Sequence, residues 1–222
     1  MAAEKPKDIN KTHFTKVYQK ETIREPSTFA QFVVQKNMIS PTDVVMEWGS
    51  GTGRDCALLA PKCAQFIATD LSATEKVRKF YGKHKNVRYD VTDFSLLPDQ
   101  KTKINVIYSR FSLHSVDKEA ATRALNWASK NLAKSGWILI EARSVKDELY
   151  GKGQQDEHDE DAWIASSGRD HGAHYRRFIR LEGLTRELTE KGFQVTYQTD
   201  ERDLSPCGND NPSLVRVFAQ KV

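Results

Sequence analysis

Residues 44–55 read VVMEWGSGTGRD, an apolar run that ends in three glycines spaced two apart. The lead-in Val44-Val45-Met46 shows no polar alternation, so it reads as a strand covered on both faces, the kind found in parallel sheets. Parallel strands need crossover helices, and the chain supplies that rhythm. QFIATD (65–70), NVRYDV (86–91), INVIYS (104–109) and GWILIEA (136–142) read as strands. RDCALLAPKC, SATEKVRKFYGK and the amphipathic DKEAATRALNWASKNLAK (117–134) read as helices between them. LEGLTRELTEKG follows as a helix, with FQVTYQT and SLVRVFAQKV as closing strands. The pattern predicts an α/β fold of βαβ units. Residues 143–178 break it. They are polar, rich in glycine, histidine and acids, without a periodic segment, and are expected to form a long inserted loop over one end of the sheet, as lids and binding loops do.

A chain of 222 residues accommodates one domain, 1–222, with residues 1–30 as a helical arm or lid. Phe14 and Tyr18 lie four apart and would share a helix face there. No apolar run approaches the roughly 20 residues of a membrane-spanning helix, and the start MAAEKPKDINKTHF lacks the apolar centre of a signal peptide. A cytoplasmic protein is expected. Cys56, Cys63 and Cys207 are odd in number and form no CxxC pair, so they read as reduced and structural, with neither a disulfide framework nor a zinc site. The acid run DEHDEDAW (156–163) has no further carboxylate or amide placed to complete an octahedral metal site, and no metal is expected. A formal charge of +4, with basic and acidic residues interleaved, permits an anionic substrate and does not call for nucleic acid.

The glycine spacing is GxGxG rather than the GxGxxG of dinucleotide-binding turns. Asp70 ends the second strand roughly 20 residues on, where a carboxylate can accept both hydroxyls of a ribose. A tight strand-to-helix turn without a ligand would also satisfy the glycines. Against that plain reading, Asp70, Asp90 in RYDVTDF and the segment YSRFSLHS all follow strands and would gather at the carboxyl edge of the sheet, where open α/β proteins bind ligands.

On these motifs the chain resembles the class I S-adenosylmethionine-dependent methyltransferases: EWGSGTG (47–53), ATDLS (68–72), YDVTDF (89–94) and INVIYSRFSLHSV (104–116) match in order, over roughly residues 30–222. The resemblance implies a Rossmann-like, seven-stranded, mostly parallel sheet with an antiparallel last strand and helices on both faces. It implies S-adenosylmethionine as cofactor. Glu47 and the Gly49-Ser50-Gly51 backbone through Gly53 would approach the methionine part, Asp70 and Leu71 the ribose side, Asp90 and Val91 the adenine, and Ser109, Arg110 and Phe111 the reactive end. A leading helix that closes over the cofactor would bring Tyr18. Trp48 departs from the usual smaller residue, and its ring could pack under the turn.

The acceptor is argued from what is absent and what is added. The Pro-Pro dipeptide of amino-methylating nucleic-acid enzymes is missing, since Ser109-Arg110-Phe111-Ser112 stands there. The Pro206-Cys207 pair lies near the carboxyl end and reads as a turn. The added segments EARSVKDELYGKG (141–153) and HGAHYRRFIRLEG (171–183) are similar to a bacterial subgroup near tellurite and thiopurine methyltransferases, some of which resemble polysaccharide-modifying enzymes. The favoured acceptor is a sugar, polysaccharide or other small hydroxyl compound, with a thiol or metalloid as the alternative. A nicotinamide oxidoreductase and a non-catalytic cofactor-binding partner are the rivals from other classes. Arg143, His171, His174, Tyr175, Arg176 and Arg177 would form the acceptor side, with His174, His171 or His114 as base. Arginine recognises carboxylate or phosphate. The Arg-Arg pair is equally suited to structural ion pairs with the acids at 156–161, and His114 to a structural role.

Overall fold

The protein is described by a computed structural model over residues 5–20, 25–166, 172–206 and 210–222. Helices α1 (Pro6–Lys20) and α2 (Thr28–Gln35) precede strand β1 (Val44–Trp48). Then come α3 (Cys56–Leu59), β2 (Gln65–Asp70), α4 (Glu75–Tyr81), β3 (Val87–Val91), β4 (Ile104–Arg110), α5 (Lys118–Asn131) and β5 (Leu132–Arg143). The chain continues through β6 (Gln154–Gln155), β7 (Ala162–Ser166), β8 (Ala173–Arg177), α6 (Leu181–Glu190), β9 (Phe193–Glu201) and β10 (Leu214–Lys221).

Among the described residues, seven strands form one sheet in the order β3-β2-β1-β4-β5-β10-β9. The β1–β2, β1–β4, β2–β3 and β4–β5 pairs are parallel, and β10 runs antiparallel to both neighbours. Unalternated apolar strands are buried on both faces, as expected. Val45, Val106, Tyr108 and Leu139 pack under α2, α3 and α4 with Phe29, Val33, Leu59 and Val77. Met46, Trp48, Ile107, Ile138 and Ile140, one pleat step away, pack under α5 and α6 with Leu125, Leu184 and Leu188. Trp48 lies flat on Phe94, ring centroids 5.3 Å apart, beneath the turn it precedes.

Helix starts follow their caps. Ser27 accepts from Ala30 N, Thr74 from Val77 N and Asp117 from Ala120 N. The helix expected at RDCALLAPKC is cut to one turn plus a 3-10 turn (Ala60–Lys62), since Pro61 offers no N–H to a longer ladder.

Residues 143–178 correct the loop expectation. β6, β7 and β8 form a separate antiparallel sheet, with Trp163 opposite Arg176 and Ala165 opposite His174. These strands are short and carry polar residues at many positions, so no apolar periodicity announced them. Its outer edge is capped from α1. The Asn10 amide accepts from Tyr175 N at 2.9 Å and donates to Tyr175 O at 2.9 Å, so a side chain replaces the neighbouring strand. The same amide donates to Ser115 O at 2.7 Å and joins α1 to the segment after β4.

Across the middle of the main sheet, Arg110, Glu141 and Arg216 stand side by side on β4, β5 and β10. Glu141 is fully buried and accepts from Arg110 Nε at 3.0 Å and from Arg216 Nε at 2.6 Å. Removing the central charge strands two guanidinium groups. Glu141→Gln is expected to lower stability by about 3–5 kcal/mol, the scale of a broken buried pair, measured by urea unfolding; a loss under about 1 kcal/mol, as for an exposed pair, would contradict the triad.

Candidate active site

The turns that leave β1, β2 and β4 converge on a cavity of about 490 Å3, an ordinary size for a small-ligand site. Gly49 and Gly51 have φ of 64° and 57°, the left-handed region that glycine enters without cost. A Cβ at Gly49 would collide with Ser112, whose hydroxyl donates to Trp48 O, so the β1 and β4 turns are locked together. A Cβ at Gly51 would stand 3.3 Å from the Tyr18 hydroxyl, on the cavity side. Gly53 faces elsewhere, against Phe80 and Tyr81 of α4.

Asp70 holds the turn in place. Its Oδ2 accepts from Gly51 N at 2.8 Å and its Oδ1 from Ser72 N at 2.7 Å, while Tyr18 of α1 reaches Oδ2 at 3.5 Å. Burial pushes its carboxyl up to about 6, and the hydrogen bonds from Ser72, Gly51 and Tyr18 offset only part of that. Two more carboxylates face this end. Asp55 accepts from Ser27 N, Ser27 Oγ and Tyr108 OH at 2.7–2.8 Å, which ties α2 to the sheet. Glu47 leaves Oε2 buried without a partner, and burial, then Asp55 and Asp70, raise its carboxyl well above the usual range.

The other end is built by β4, β5, β8 and α1. Phe111 is held at φ 58°, with its N–H donated to Glu141 O; such a conformation in a bulky residue marks local strain at a site. Its ring lies 4.2 Å from the Arg110 guanidinium. The pleat of β8 then divides four expected residues: His174 and Arg176 line the cavity, whereas Tyr175 and Arg177 take the opposite side of the strand. Tyr175 is buried beside Ile9 and Ala162. Arg177 faces Asp159 at 4.0 Å, which is the structural ion pair left open by the sequence.

Hydrogen bonds fix the tautomer of both histidines. His114 Nδ1 accepts from Arg143 N at 2.9 Å, so its proton sits on Nε2. His174 Nδ1 lies 3.2 Å from Arg176 Nη2, and arginine can only donate, so His174 also carries its proton on Nε2. Burial, then the nearby arginines, lower both rings well below the ordinary histidine range. They are neutral donors. Arg143 pairs with Asp147 at 2.9 Å and with Asp210. Arg176 has no carboxylate partner among the described residues, and its Nε is buried without one.

Of the expected residues, the cavity gathers Tyr18, Glu47, Gly49, Ser50, Gly51, Asp70, Leu71, Arg110, Phe111, His114, Arg143, His174 and Arg176. Ser109 is buried away from it, Glu141 belongs to the triad, Val91 is exposed, and Asp90 pairs with Arg88 at 2.9 Å. His171 lies outside the described residues, as does Cys207. The sequence reading missed Asn10, His13, Asp55 and Asp210. His13 stacks on His174 with centroids 4.4 Å apart; its spacing of four from Ile9 was the available signal of a shared face.

The profile of a methyltransferase-domain family matches residues 15–198. Similar solved structures include the CcbJ methyltransferase from Streptomyces caelestis, with TM-score 0.71 and 13% identity over 97% of this chain and 99% of the other. A 1,6-didemethyltoxoflavin-N1-methyltransferase from Burkholderia thailandensis gives 0.66 and 15% over 100% and 92%. A glycopeptide N-methyltransferase gives 0.67 and 16% over 89% and 95%. No curated protein matches the sequence. The fold is the Rossmann-like fold of class I methyltransferases. The chain belongs to the methyltransferase-domain family, within the S-adenosylmethionine-dependent superfamily.

The Asp70 environment gives a signed pH dependence. Its carboxyl titrates near 6 when folded against an ordinary 3.8, so the unfolded chain releases that proton first and stability falls as pH rises between those values. Relative to Asp70→Asn, the ligand-free parent is expected to lose stability from pH 4 to pH 7, by roughly 3 kcal/mol at most. Paired thermal melts across that range check it; a parent that gains on the variant with rising pH would contradict the assignment.

Proposed function

We propose that this chain binds S-adenosylmethionine at the carboxylate-lined end of the cavity and transfers its methyl group to a small acceptor at the arginine-histidine end. The observation that carries this reading is Asp70, fixed by two backbone N–H groups where the glycine turn meets the end of β2. The residues fit the cofactor. Gly49 and Gly51 leave room for it at the backbone, Asp70 and Tyr18 offer oxygens to ribose hydroxyls, and the unpartnered Glu47 Oε2 suits an ammonium group. Leu71 supplies an apolar wall for the adenine side; Asp90 and Val91 gain no support for that part from the cavity lining. When bound, the cofactor supplies an already activated methyl. Helix α1 would cover it as a lid, through Phe14, Val17 and Tyr18.

The protein's own task is to align the acceptor and to manage its proton. A hydroxyl acceptor, of the sugar type read from the sequence, needs a base. His174 and His114 are poorly placed for it, because each already accepts at Nδ1 and carries its proton on Nε2. Both orient the acceptor instead, and His13 is the remaining histidine on the cavity among the described residues. A neutral nitrogen acceptor is the second reading. It needs no base for the attack, and two of the similar structures are N-methyltransferases by name. The free, buried Cys56 and Cys63 support a cytoplasmic setting. No helix among the described residues is long and apolar enough to cross a membrane.

Asp70→Ala should weaken S-adenosylmethionine binding about ten-fold or more, from the loss of charge-assisted hydrogen bonds worth roughly 1.5–3 kcal/mol each. Calorimetry on a variant with parental circular dichroism measures it. Unchanged affinity would remove Asp70 from the cofactor site.

A further inference from the structure

The two arginines at the far end of the cavity are not equivalent. Arg143 takes both nearby carboxylates, Asp147 and Asp210. Those are the groups that would otherwise balance Arg176. Arg176 keeps one hydrogen bond, from Nη2 to His174 Nδ1, and a distant ring contact with Phe178 at 6.0 Å. Its neighbours along the chain each have a carboxylate beside them: Arg177 faces Asp159 at 4.0 Å, a charge contact without a hydrogen bond, and Arg180 takes Asp161 at 2.6 Å. A guanidinium offers five N–H donors in a planar fork, and leaving such a charge buried and unpaired is costly. The groups around it add to the surplus. His114 and His174 both carry their proton on Nε2, and His174 Nε2 is buried without a partner. Donors converge here, and beyond the Arg176–His174 bond Arg176 Nε and His174 Nε2 find no acceptor among the described residues.

We propose that Arg176, together with the Nε2–H groups of His174 and His114, is a receptor for an oxyanion, a carboxylate or a phosphate, carried by the methyl acceptor. This rests on reading the cavity as a methyltransferase site. The fork suits two oxygens of either group side by side, and the histidines suit a further oxygen because they donate. An anionic acceptor also complements a cavity whose opposite end gathers Glu47, Asp55 and Asp70 around the cationic cofactor site. The acceptor is thereby narrowed from a small molecule to a small organic anion, fixed at β8.

The test uses the full chain saturated with S-adenosylhomocysteine, titrated calorimetrically with benzoate and phenyl phosphate and with their uncharged counterparts benzamide and phenol. At least one anion should bind, with its uncharged counterpart weaker by about ten-fold or more; which of the two binds separates carboxylate from phosphate. Arg176→Met should lose that preference while S-adenosylhomocysteine affinity stays at the parental value. Arg176→Lys, with the charge but not the fork, should recover part of it. Arg177→Met, which removes the same charge from the other side of β8, should keep the parental preference. Equal binding of charged and uncharged compounds, no binding of either anion, or parental anion binding by Arg176→Met would each overturn the proposal. If Arg176→Met does not fold, the parent's comparison of charged with uncharged compounds and the lysine variant decide. Failure of the parent to bind S-adenosylhomocysteine would count against the cofactor reading instead, and the same titrations without it still decide the anion receptor.

Discussion

Asp70 is the side chain on which the site hangs. Its two oxygens close the turn leaving β1, through Gly51 N, and the turn leaving β2, through Ser72 N, and Tyr18 brings α1 to the same carboxylate. One buried group thus fixes the backbone cradle, the strand end and the covering helix. Burial opposes its charge and raises its carboxyl to about 6. Groups kept in such an unfavourable setting cluster at functional sites. The covering helix has a second anchor in Asn10, which satisfies the edge of β8 as a neighbouring strand would. Through those two contacts α1 spans the cavity from the end of β2 to β8.

The cavity is electrically divided along that span. Glu47, Asp55 and Asp70 gather near the ends of β1 and β2, with Arg54 beside Asp55, and Arg143, Arg176 and the histidine donors gather at β5 and β8, where Asp210 is taken up by Arg143. This arrangement changes what the histidines can do. A histidine whose Nδ1 already accepts a hydrogen bond, beside a guanidinium that opposes protonation, holds a ligand oxygen better than it removes a proton. The residue types that suggested a base are therefore better suited, in place, to orienting an acceptor.

Much of this was legible in the chain. The unalternated apolar strands announced a doubly covered sheet, and the glycine spacing with Asp70 pointed to the turn that lines the cavity, because these signals are local and their geometry is carried by the backbone. Three features were not legible, for distinct reasons. β6–β8 are short and polar, so their pairing has no periodic trace. His13 and Asn10 matter through contacts with β8, more than 160 positions away. Arg176 and Arg177 are identical in type and adjacent, and only the phase of the β8 pleat sends one to the cavity and the other to Asp159. Glu141 shows the converse: it stands at the expected strand end, yet its neighbours on β4 and β10 claim it.

The most direct measurement is a crystal structure of the chain with S-adenosylhomocysteine. The account predicts ligand density along the Gly49–Gly51 turn, with the ribose hydroxyls at the Asp70 carboxylate, Tyr18 of α1 closed over it, and the sulfur directed toward Phe111 and the His114–Arg176 end. Density that leaves Asp70 bonded only to Gly51 and Ser72, with the ligand outside this cavity, would contradict it.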